Sequence, residues 1–317
     1  MTGRARVGWA DLVWLTWRQH RWAIVGLVAA VGAASALALF LAWRVDVTGN
    51  PQGLFGRWRF ISLGSVVMLA PMVTSLAVAV FWAAPVLSRE YEQRTHLVAW
   101  SQDITSTRWL AGKAVLLGVP AVALAVGVGQ ASRTLIDSIN AASARPIFSP
   151  FGVPAFETAP LVQAGFAAFG FALGLALGAV TRRTVMAMGL ALGAFIAVRG
   201  VVAGLWRPNF REPLLKVEPY EAYQRSWDGP GDGSWTVGTG FSDAAGNEVA
   251  YPSACSSAQD SAAFAKCMND NNVLSFTEYH PADRLVPFQL FESAIFLVLA
   301  AGLLALAFVR VRRADRV

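Results

Sequence analysis

The chain has 317 residues, of which 55% are hydrophobic and 15% charged, and its formal net charge is +6. Soluble domains carry roughly one-quarter charged residues, so this composition indicates a membrane protein. The net positive charge is compatible with a nucleic-acid partner, but the basic residues form short clusters beside long apolar runs, without a basic face interleaved with aromatic residues. We therefore exclude nucleic acid as a partner.

Six apolar stretches are long enough to cross a bilayer, which takes about 20 helical residues. They are Trp22–Trp43, Ile61–Leu87, Leu110–Gln130, Thr158–Val180, Val185–Leu205 and Val286–Val309. The predicted fold is an all-α membrane protein, a bundle of six transmembrane helices in contact with membrane lipids. Pro71 and Pro85 in the second stretch are expected to kink that helix or to mark its ends.

The distribution of Lys and Arg predicts the orientation, because basic residues near helix ends stay on the cytoplasmic side. With the N-terminus inside, segments 1–21, 88–113, 181–184 and 309–317 hold 14 basic residues in 60 positions. Segments 44–60, 131–157 and 206–285 then hold 11 in 124 positions. Both termini of this multi-pass protein are therefore predicted to be cytoplasmic.

An apolar stripe precedes the first transmembrane stretch, within the predicted cytoplasmic N-terminal segment 1–21. It consists of Val7, Trp9, Leu12, Val13 and Trp17, beside Asp11, Arg18 and Gln19. This near-helical spacing predicts a short amphipathic helix along the inner membrane interface. An ordinary aromatic belt with basic anchors is the alternative.

Two stretches within the predicted helices 1–5, residues 22–205, carry glycines at four-residue spacing. The fourth stretch has Gly170, Gly174 and Gly178, and the fifth has Gly189 and Gly193. Such stripes allow another backbone to approach closely, so we expect them to pack against helices. The partner helix is either within the chain or in a second copy.

Residues 206–285 differ from the rest, with eleven acidic and six basic side chains and no long apolar run. We expect an extracytoplasmic domain here, between helices 5 and 6; residues 286–317 then form the last helix and a basic cytoplasmic tail. The domain holds both cysteines, Cys255 and Cys267, which can pair in an oxidising compartment. Two free thiols are the alternative; a metal site is less favoured, because only His280 lies in the same segment.

The motifs of common catalytic sites are missing from the sequence. Gly112-Lys113 is followed by Ala114, not by the Ser or Thr of a phosphate-binding loop. The three histidines, His20, His96 and His280, are scattered rather than paired at helical spacing. We therefore predict no catalytic residue, no metal and no cofactor bound by this chain.

Two ionisable residues fall inside predicted transmembrane helices. Arg199 and Glu292 each lie about six residues from the outer end of their helices, or roughly 9 Å deep at about 1.5 Å per residue. Because charges in hydrocarbon usually face a partner or a wet cavity, we expect an ion pair in a conduction path or a structural role. Snorkelling of Arg199 to the surface is the alternative.

Two stretches of the sequence resemble type 2 ABC export permeases from actinobacteria. The first matches that family's first cytoplasmic loop in Arg89-Glu90-Tyr91-Glu92, Thr95-His96, Ala99-Trp100, Arg108-Trp109-Leu110 and Lys113. It departs from the family at Arg94, where glycine is common. The second, Pro281 to Glu292, matches in Arg284, Phe288, Gln289 and Glu292, with Leu285 and Val286 in place of an aromatic pair.

This resemblance implies an exporter subunit in a bacterial cell membrane, whose loop 88–109 forms a coupling helix on a separate nucleotide-binding ATPase. Two permeases, identical or paralogous, and two ATPases would form the working unit, with ATP and Mg bound by the ATPase. The implied coupling residues are Arg89, Glu90, Tyr91, Glu92, Arg94 and Thr95. Charges of both signs around an aromatic residue suit such an interface, and we expect Glu90 and Arg94 to share a helical face and pair with the ATPase. A solvated loop is the alternative.

The function expected from the whole sequence is therefore the permease subunit of an ATP-driven exporter. A membrane-anchored extracytoplasmic binding or sensor module is the second hypothesis, although six helices are more than an anchor needs. A membrane enzyme acting on lipids is the third; the absence of a buried carboxylate or histidine cluster opposes it. No residue indicates the substrate.

Overall fold

The computed structural model describes residues 8–51, 63–95, 105–144, 146–220, 233–250, 252–258 and 260–314. Within this described part, six helices are long and apolar enough to cross a membrane, which confirms the predicted bundle. We call them the first to sixth spans: Arg21–Thr48, Val67–Glu92, Ser106–Ala141, Pro160–Thr181, Thr184–Asn209 and Ala282–Ala314.

Nine α-helices and three strands form within the described part of the chain. The helices are α1 Trp9–Thr48, α2 Leu63–Ala77, α3 Ala84–Glu92, α4 Ser106–Ala141, α5 Val153–Glu157, α6 Pro160–Thr181, α7 Thr184–Val201, α8 Ser261–Asp270 and α9 Leu285–Ala314. The strands are β1 Leu214–Pro219, β2 Trp235–Ser242 and β3 Leu274–His280. Short π-helical segments join α2 to α3 and follow α7.

The segment predicted as a separate interfacial helix is continuous with the first span. Helix α1 runs unbroken from Trp9 to Thr48. Residues 9–25 contain neither Gly nor Pro, the two residue types that most readily break a helix. The amphipathic stripe is therefore the first part of a 40-residue helix, and Val7 lies outside the described residues.

The second span continues through both of its prolines. Pro71 lies inside α2, and Pro85 lies at the start of α3 after a π-helical segment, Val78–Ala83. The Ala84 N–H donates to the carbonyl of Ala79, five residues back, as in a π-helix. Because the ring of Pro85 clashes with a normal α-helical turn, the wider π turn lets the span continue.

Helix α6 lies at the centre of the bundle. Its most apolar window is 72% buried, against 22% for the corresponding windows of the fifth and sixth spans. It packs against the second span, α4 and α7. One apolar core, which includes Trp82, Leu87, Trp109 and Leu175, surrounds its C-terminal half. The neighbouring spans therefore use α6 as their common support.

The described chain divides into two compact units. The first contains the membrane helices, from residues 1–148, 153–202 and 289–317, and the second contains residues 149–152 and 203–288. The second unit holds an antiparallel sheet of order β1-β3-β2, in which Leu214 lies opposite Tyr279 and Trp235 opposite His280. The sequence patterns do not indicate the fold of this segment.

A disulfide joins Cys255 to Cys267 in the second unit, as the sequence predicted. It connects the 3-10 helix Ser253–Ser257 to α8, whose N-terminus is capped by the side chain of Asp260. Cys255 and Met268 are fully buried in the small core of this unit. The bond closes a short loop and restricts the unfolded chain, which stabilises a unit with few apolar residues.

Candidate functional site

The predicted coupling residues lie where the second span ends. Helix α3 ends at Glu92, and the turn that follows is held by the Gln93 N–H donating to Arg89 O at 2.9 Å. Arg94 lies beyond the helix, with a φ of 55°. Glu90 and Arg94 therefore do not share a helical face, which corrects that part of the expectation. Residues 96–104 of the predicted coupling loop lie outside the described residues.

The predicted coupling residues divide into an exposed and a buried set. Arg89, Glu92, Arg94 and Thr95 are exposed, together with Gln93. Glu90 and Tyr91 are 8% and 9% exposed and face the helices behind them. A protein that approaches this end of the bundle contacts the exposed residues directly. It reaches Glu90 and Tyr91 only through those exposed residues.

Glu90 is occupied by a partner inside the chain. It forms an ion pair with Lys113 of α4, whose side chain is also buried. The Lys113 ammonium lies 4.6 Å from the centroid of the Trp109 ring and donates to Gln19 Oε1 of α1 at 3.5 Å. The carboxylate of Glu90 therefore ties the second span to the first and third spans, rather than standing free to pair with another protein.

Glu92 binds the N-terminus of α7. Its carboxylate accepts hydrogen bonds from the Thr184 backbone N–H at 2.9 Å and from the Thr184 hydroxyl at 2.6 Å. The hydroxyl of Ser88, one turn earlier, also donates to the Thr184 hydroxyl at 3.2 Å. A carboxylate at a helix N-terminus satisfies an unpaired N–H and complements the helix dipole. The end of α3 and the start of the fifth span are thereby joined.

Tyr91 contacts the turn between α6 and α7. The Arg182 guanidinium lies 5.1 Å from the centroid of the Tyr91 ring, in a cation–π arrangement. Arg182 ends α6 with a left-handed φ of 53°, and its N–H donates to Gly178 O. Through Glu90, Tyr91 and Glu92, consecutive residues of α3 contact three different parts of the bundle.

The intramembrane cation Arg199 pairs with Glu157, a residue that the sequence pattern places in a loop. Glu157 ends the short helix α5 and its side chain is 3% exposed. The Arg199 guanidinium also lies 4.3 Å from the centroid of the Phe166 ring. Arg199 is therefore held in the bundle by a carboxylate and an aromatic face, which opposes its snorkelling to the surface.

Glu292 lies buried on α9 beside the same part of α6. Its neighbour Ser293 is close to Gly165, where an added Cβ would lie 3.3 Å from the Ser293 Cα. Phe296, one turn on, contacts the Phe166 ring at a centroid distance of 4.8 Å. Glu292 is 1% exposed. Its pairing with Arg199 stays a prediction.

Two further matched residues of the segment 281–292, Arg284 and Gln289, are polar and buried. Arg284 donates to Glu212 O at 2.7 Å and to Nδ1 of His280 at 3.0 Å. Farther along, Gln289 donates from Nε2 to Phe156 O at 3.4 Å. The polar residues of this motif thus bind backbone and side-chain groups inside the chain.

The glycines of the fourth span pack against the second span. An added Cβ would lie 2.8 Å from Ser75 O at Gly170, 2.5 Å from Ala79 O at Gly174 and 2.8 Å from Ala84 O at Gly178. Real Cβ atoms do not approach backbone atoms this closely. The stripe therefore allows α6 and the second span to pack backbone to backbone.

The glycines of the fifth span have no such neighbour. An added Cβ at Gly189 or Gly193 has nothing within 4 Å in the described part of the chain. Large apolar side chains on α7, such as Val185 and Ile196, are also exposed. A packing role for these two glycines stays a prediction that requires a partner outside the chain.

Catalytic chemistry is not evident in the described residues. Gly112 and Lys113 lie within the continuous helix α4 and form no phosphate-binding loop. No group of three His, Cys, Asp or Glu side chains among the described residues is placed to hold a metal ion. The polar groups described above are used in packing and in joining helices.

Comparison with known families matches one region of the chain, and the predicted coupling residues lie within it. Residues 53–207, about half of the chain, match the family described as ABC-2 membrane transporter related. The matched region forms a domain of this family. It includes the second to fifth spans, the segment Arg89–Thr95, and the pair Arg199–Glu157. No curated protein and no solved structure matches the sequence significantly.

The family domain agrees with the six apolar helices: the chain is a multi-pass membrane protein, and its residues 53–207 match the ABC-2 membrane transporter related family. The resemblance to type 2 ABC permeases, stated from short motifs, is thereby confirmed. ABC-2 membrane components belong to transporters that in general work with an ABC ATPase.

Sequence reasoning missed two members of the buried ion pairs, Lys113 and Glu157. Lys113 had a visible signal, because it lies in the first turns of an apolar run, where an ionisable residue is costly and usually paired. Glu157 had only a weak signal, because it immediately precedes the fourth stretch and was counted with a polar loop. Neither partner was identifiable without knowing which helix ends meet.

Proposed function

We propose that this chain is the permease subunit of an ATP-driven exporter, which forms the translocation pathway and couples it to separate ATPase subunits. ATP and Mg bind to those subunits, and this chain binds neither. The proposal rests on the segment Arg89–Thr95, whose exposed residues adjoin side chains that join α3 to α4, to the turn before α7 and to the start of α7. Lys113, the partner of Glu90, also binds Gln19 of α1.

In this proposal, the ATPase binds the exposed residues Arg89, Gln93, Arg94 and Thr95. Glu90, Tyr91 and Glu92 act as positioning residues. They transmit a displacement of the segment to Lys113, Arg182 and Thr184, through a buried ion pair at Glu90, a cation–π contact at Tyr91 and two hydrogen bonds at Glu92. The two arginines and the polar side chains of the four exposed residues suit a polar interface with a protein that binds and releases during a transport cycle.

The end of the bundle that carries Arg89, Arg182 and Thr184 faces the cytoplasm, and both termini lie on that side. This orientation rests on the excess of Arg and Lys in the segments assigned to that side. The second compact unit then lies outside the cell, which suits its disulfide, since disulfides persist in oxidising compartments.

A second permease copy completes the pathway. The fifth span is the part of the chain that leaves room for it, since Gly189 and Gly193 have no neighbour within 4 Å among the described residues. Glycine stripes allow close helix contact in membranes, where packing rather than the hydrophobic effect drives association. The ion pair between Arg199 and Glu157 holds the fifth span against the short helix α5, which precedes the fourth span.

Co-purification of the chain from its native membrane, followed by an ATPase assay, tests the proposal. We expect an ABC ATPase to be recovered with the wild-type chain. Its recovery should fall at least tenfold with Arg94→Glu, because the reversal places in the interface a negative charge that either faces another negative charge or has no partner. Arg133→Glu, an exposed reversal at the far end of α4, is the matched control and should leave recovery unchanged. Recovery of the chain without any ATPase under gentle extraction would overturn the proposal.

A further inference from the structure

A continuous groove lies between the first and second spans and reaches the start of α7. A cavity of about 240 Å³ is lined by apolar residues, including Gly26, Leu27 and Ala30. A second cavity of about 170 Å³ is lined by Pro85, Arg89 and Thr184 among others. Ala23, Phe81 and Trp82 line both cavities, so the two form one groove with an apolar part and a polar mouth. We name it the Arg89 groove.

The polar mouth carries an exposed cation, whose charge also acts on the carboxylate of Glu92. Arg89 is exposed, and within the described residues its guanidinium makes no hydrogen bond or ion pair. Glu92, the nearby carboxylate, is occupied by the N–H and hydroxyl of Thr184. Arg182 and Arg183 lie on the adjoining turn, so cations outnumber the carboxylate at this mouth. The mouth therefore suits an anionic group.

The groove also contains an indole that lacks an acceptor. Trp82 is 4% exposed, and its Nε1 is buried without a hydrogen-bond partner in the described part of the chain. A buried N–H without an acceptor is destabilising. An ester or phosphate oxygen that settled at the edge of this ring would supply one.

We infer that the Arg89 groove binds an anionic phospholipid, with its phosphate at Arg89 and an acyl chain along the apolar part. Ala23 of the first span and Phe81 of the second are exposed at the groove, and acyl chains are the apolar molecules that such a surface meets in a bilayer. The guanidinium matches the charge and the shape of a phosphate. Because Arg89 also belongs to the proposed coupling segment, a bound lipid would join the membrane to that segment.

Native mass spectrometry of the purified full chain tests this inference, with phosphatidylglycerol and phosphatidylcholine of identical acyl chains at equal concentration. The wild-type chain should retain phosphatidylglycerol preferentially. Arg89→Gln should reduce its retention about fivefold, the effect of one cation at a membrane surface, and leave phosphatidylcholine unchanged. Ala23→Trp, which fills an exposed position of the groove, should reduce retention of both lipids.

Two matched variants separate the groove from general surface attraction. Arg94→Gln removes an exposed cation of the same segment that does not line the groove, and Ala29→Trp adds the same bulk on another exposed position of α1. Both should retain lipid as the wild type does. An equal loss with Arg94→Gln, or no loss with Arg89→Gln, would overturn the inference. So would displacement of the lipid by millimolar inorganic phosphate, since the acyl chain would then contribute nothing.

The readout is bound lipid rather than recovery of an ATPase, so this test and that of the proposed function fail independently.

Discussion

Glu90 of α3 and Lys113 of α4 form an ion pair in which both side chains are almost completely buried. The pair lies at the base of the segment that carries the proposed coupling residues. Burying one charge without its partner is costly, whereas replacing both charges is often nearly neutral. The pair therefore fixes where α3 ends relative to the third span.

Removal of one partner of this pair should destabilise the fold strongly. We expect Glu90→Gln to lower the free energy of unfolding by about 3–5 kcal/mol, and the double variant Glu90→Gln with Lys113→Met to lose less than that. Thermal unfolding in detergent, followed by tryptophan fluorescence, measures the difference. Asp137→Asn, which breaks the exposed pair with Arg133, is the control and should cost at most about 1 kcal/mol. A double variant as unstable as the single one would contradict the pairing.

Arg94 occupies a backbone conformation that favours glycine. Because Arg94 has a φ of 55°, Arg94→Gly should raise the stability of the turn by about 1 kcal/mol. Gln93→Gly, at a φ of −87°, should instead lower it, since glycine there only adds freedom to the unfolded chain. Hydrogen exchange of the amides in residues 89–95 measures both changes.

The same variant separates the backbone of Arg94 from its side chain. The permeases that this segment resembles often carry glycine at the position that Arg94 occupies in this chain. If Arg94→Gly stabilises the turn but lowers recovery of the ATPase, the side chain is part of the interface. If recovery of the ATPase is unchanged, this position requires only the left-handed turn. The contact with the ATPase must then come from Arg89, Gln93 or Thr95.

Gly174 should be intolerant of any side chain. In Gly174→Ala the new Cβ would meet Ala79 O at 2.5 Å and Ala83 Cβ at 2.6 Å, so the helices must separate. Overpacking of this kind costs about 1–3 kcal/mol, measured as a lower unfolding temperature in detergent. Gly302→Ala is the control on α9 and should be neutral or slightly stabilising, because an added Cβ there has nothing within 4 Å among the described residues and alanine favours helix. Equal losses in both variants would contradict the packing.

A second copy against the fifth span is tested by cysteine crosslinking in membranes. The native cysteines are joined in a disulfide, so Gly189→Cys introduces a single reactive thiol among the described residues. We expect a crosslinked dimer from this variant. Gly302→Cys, an equally open glycine of α9, should crosslink far less. The reverse pattern would place the second copy against the sixth span instead.

His280 should make the second unit less stable in acid. Its Nε2 donates to Pro208 O at 2.9 Å and its Nδ1 accepts from Arg284 at 3.0 Å, so the ring is held neutral. Burial lowers the pKa of His280, the hydrogen bond to Pro208 O opposes this, and the Arg284 cation lowers it further. Below about pH 6.5 the unfolded chain then binds more protons than the folded one, and stability falls with pH until the folded pKa is passed.

The loss is about 1.4 kcal/mol for each pH unit between the two pKa values. Unfolding temperatures at pH 7.5 and 5.0 measure it, with His280→Gln as the comparison. That variant keeps a donor and an acceptor but does not titrate, so its stability should change less with pH. An identical pH dependence in both proteins would rule out His280 as the cause.

The sequence by itself determined the features that depend on length, composition and local pattern. The six spans follow from apolar runs that match the thickness of a bilayer, and the disulfide from two cysteines in a polar segment. The short motifs around Arg89 and Arg284 were sufficient to indicate the family that residues 53–207 match.

Only the tertiary structure decided which groups meet. The partner of Glu90 is 23 positions away along the chain and that of Arg199 is 42, distances at which no local pattern indicates a pairing. The same reason explains why Gly174 packs against the second span while an added Cβ at Gly189 has nothing within 4 Å among the described residues. Both glycines belong to stripes with four-residue spacing, and the packing of α6 at the centre of the bundle distinguishes them. Sequence patterns describe one helix at a time, whereas the site is formed where the ends of several helices meet.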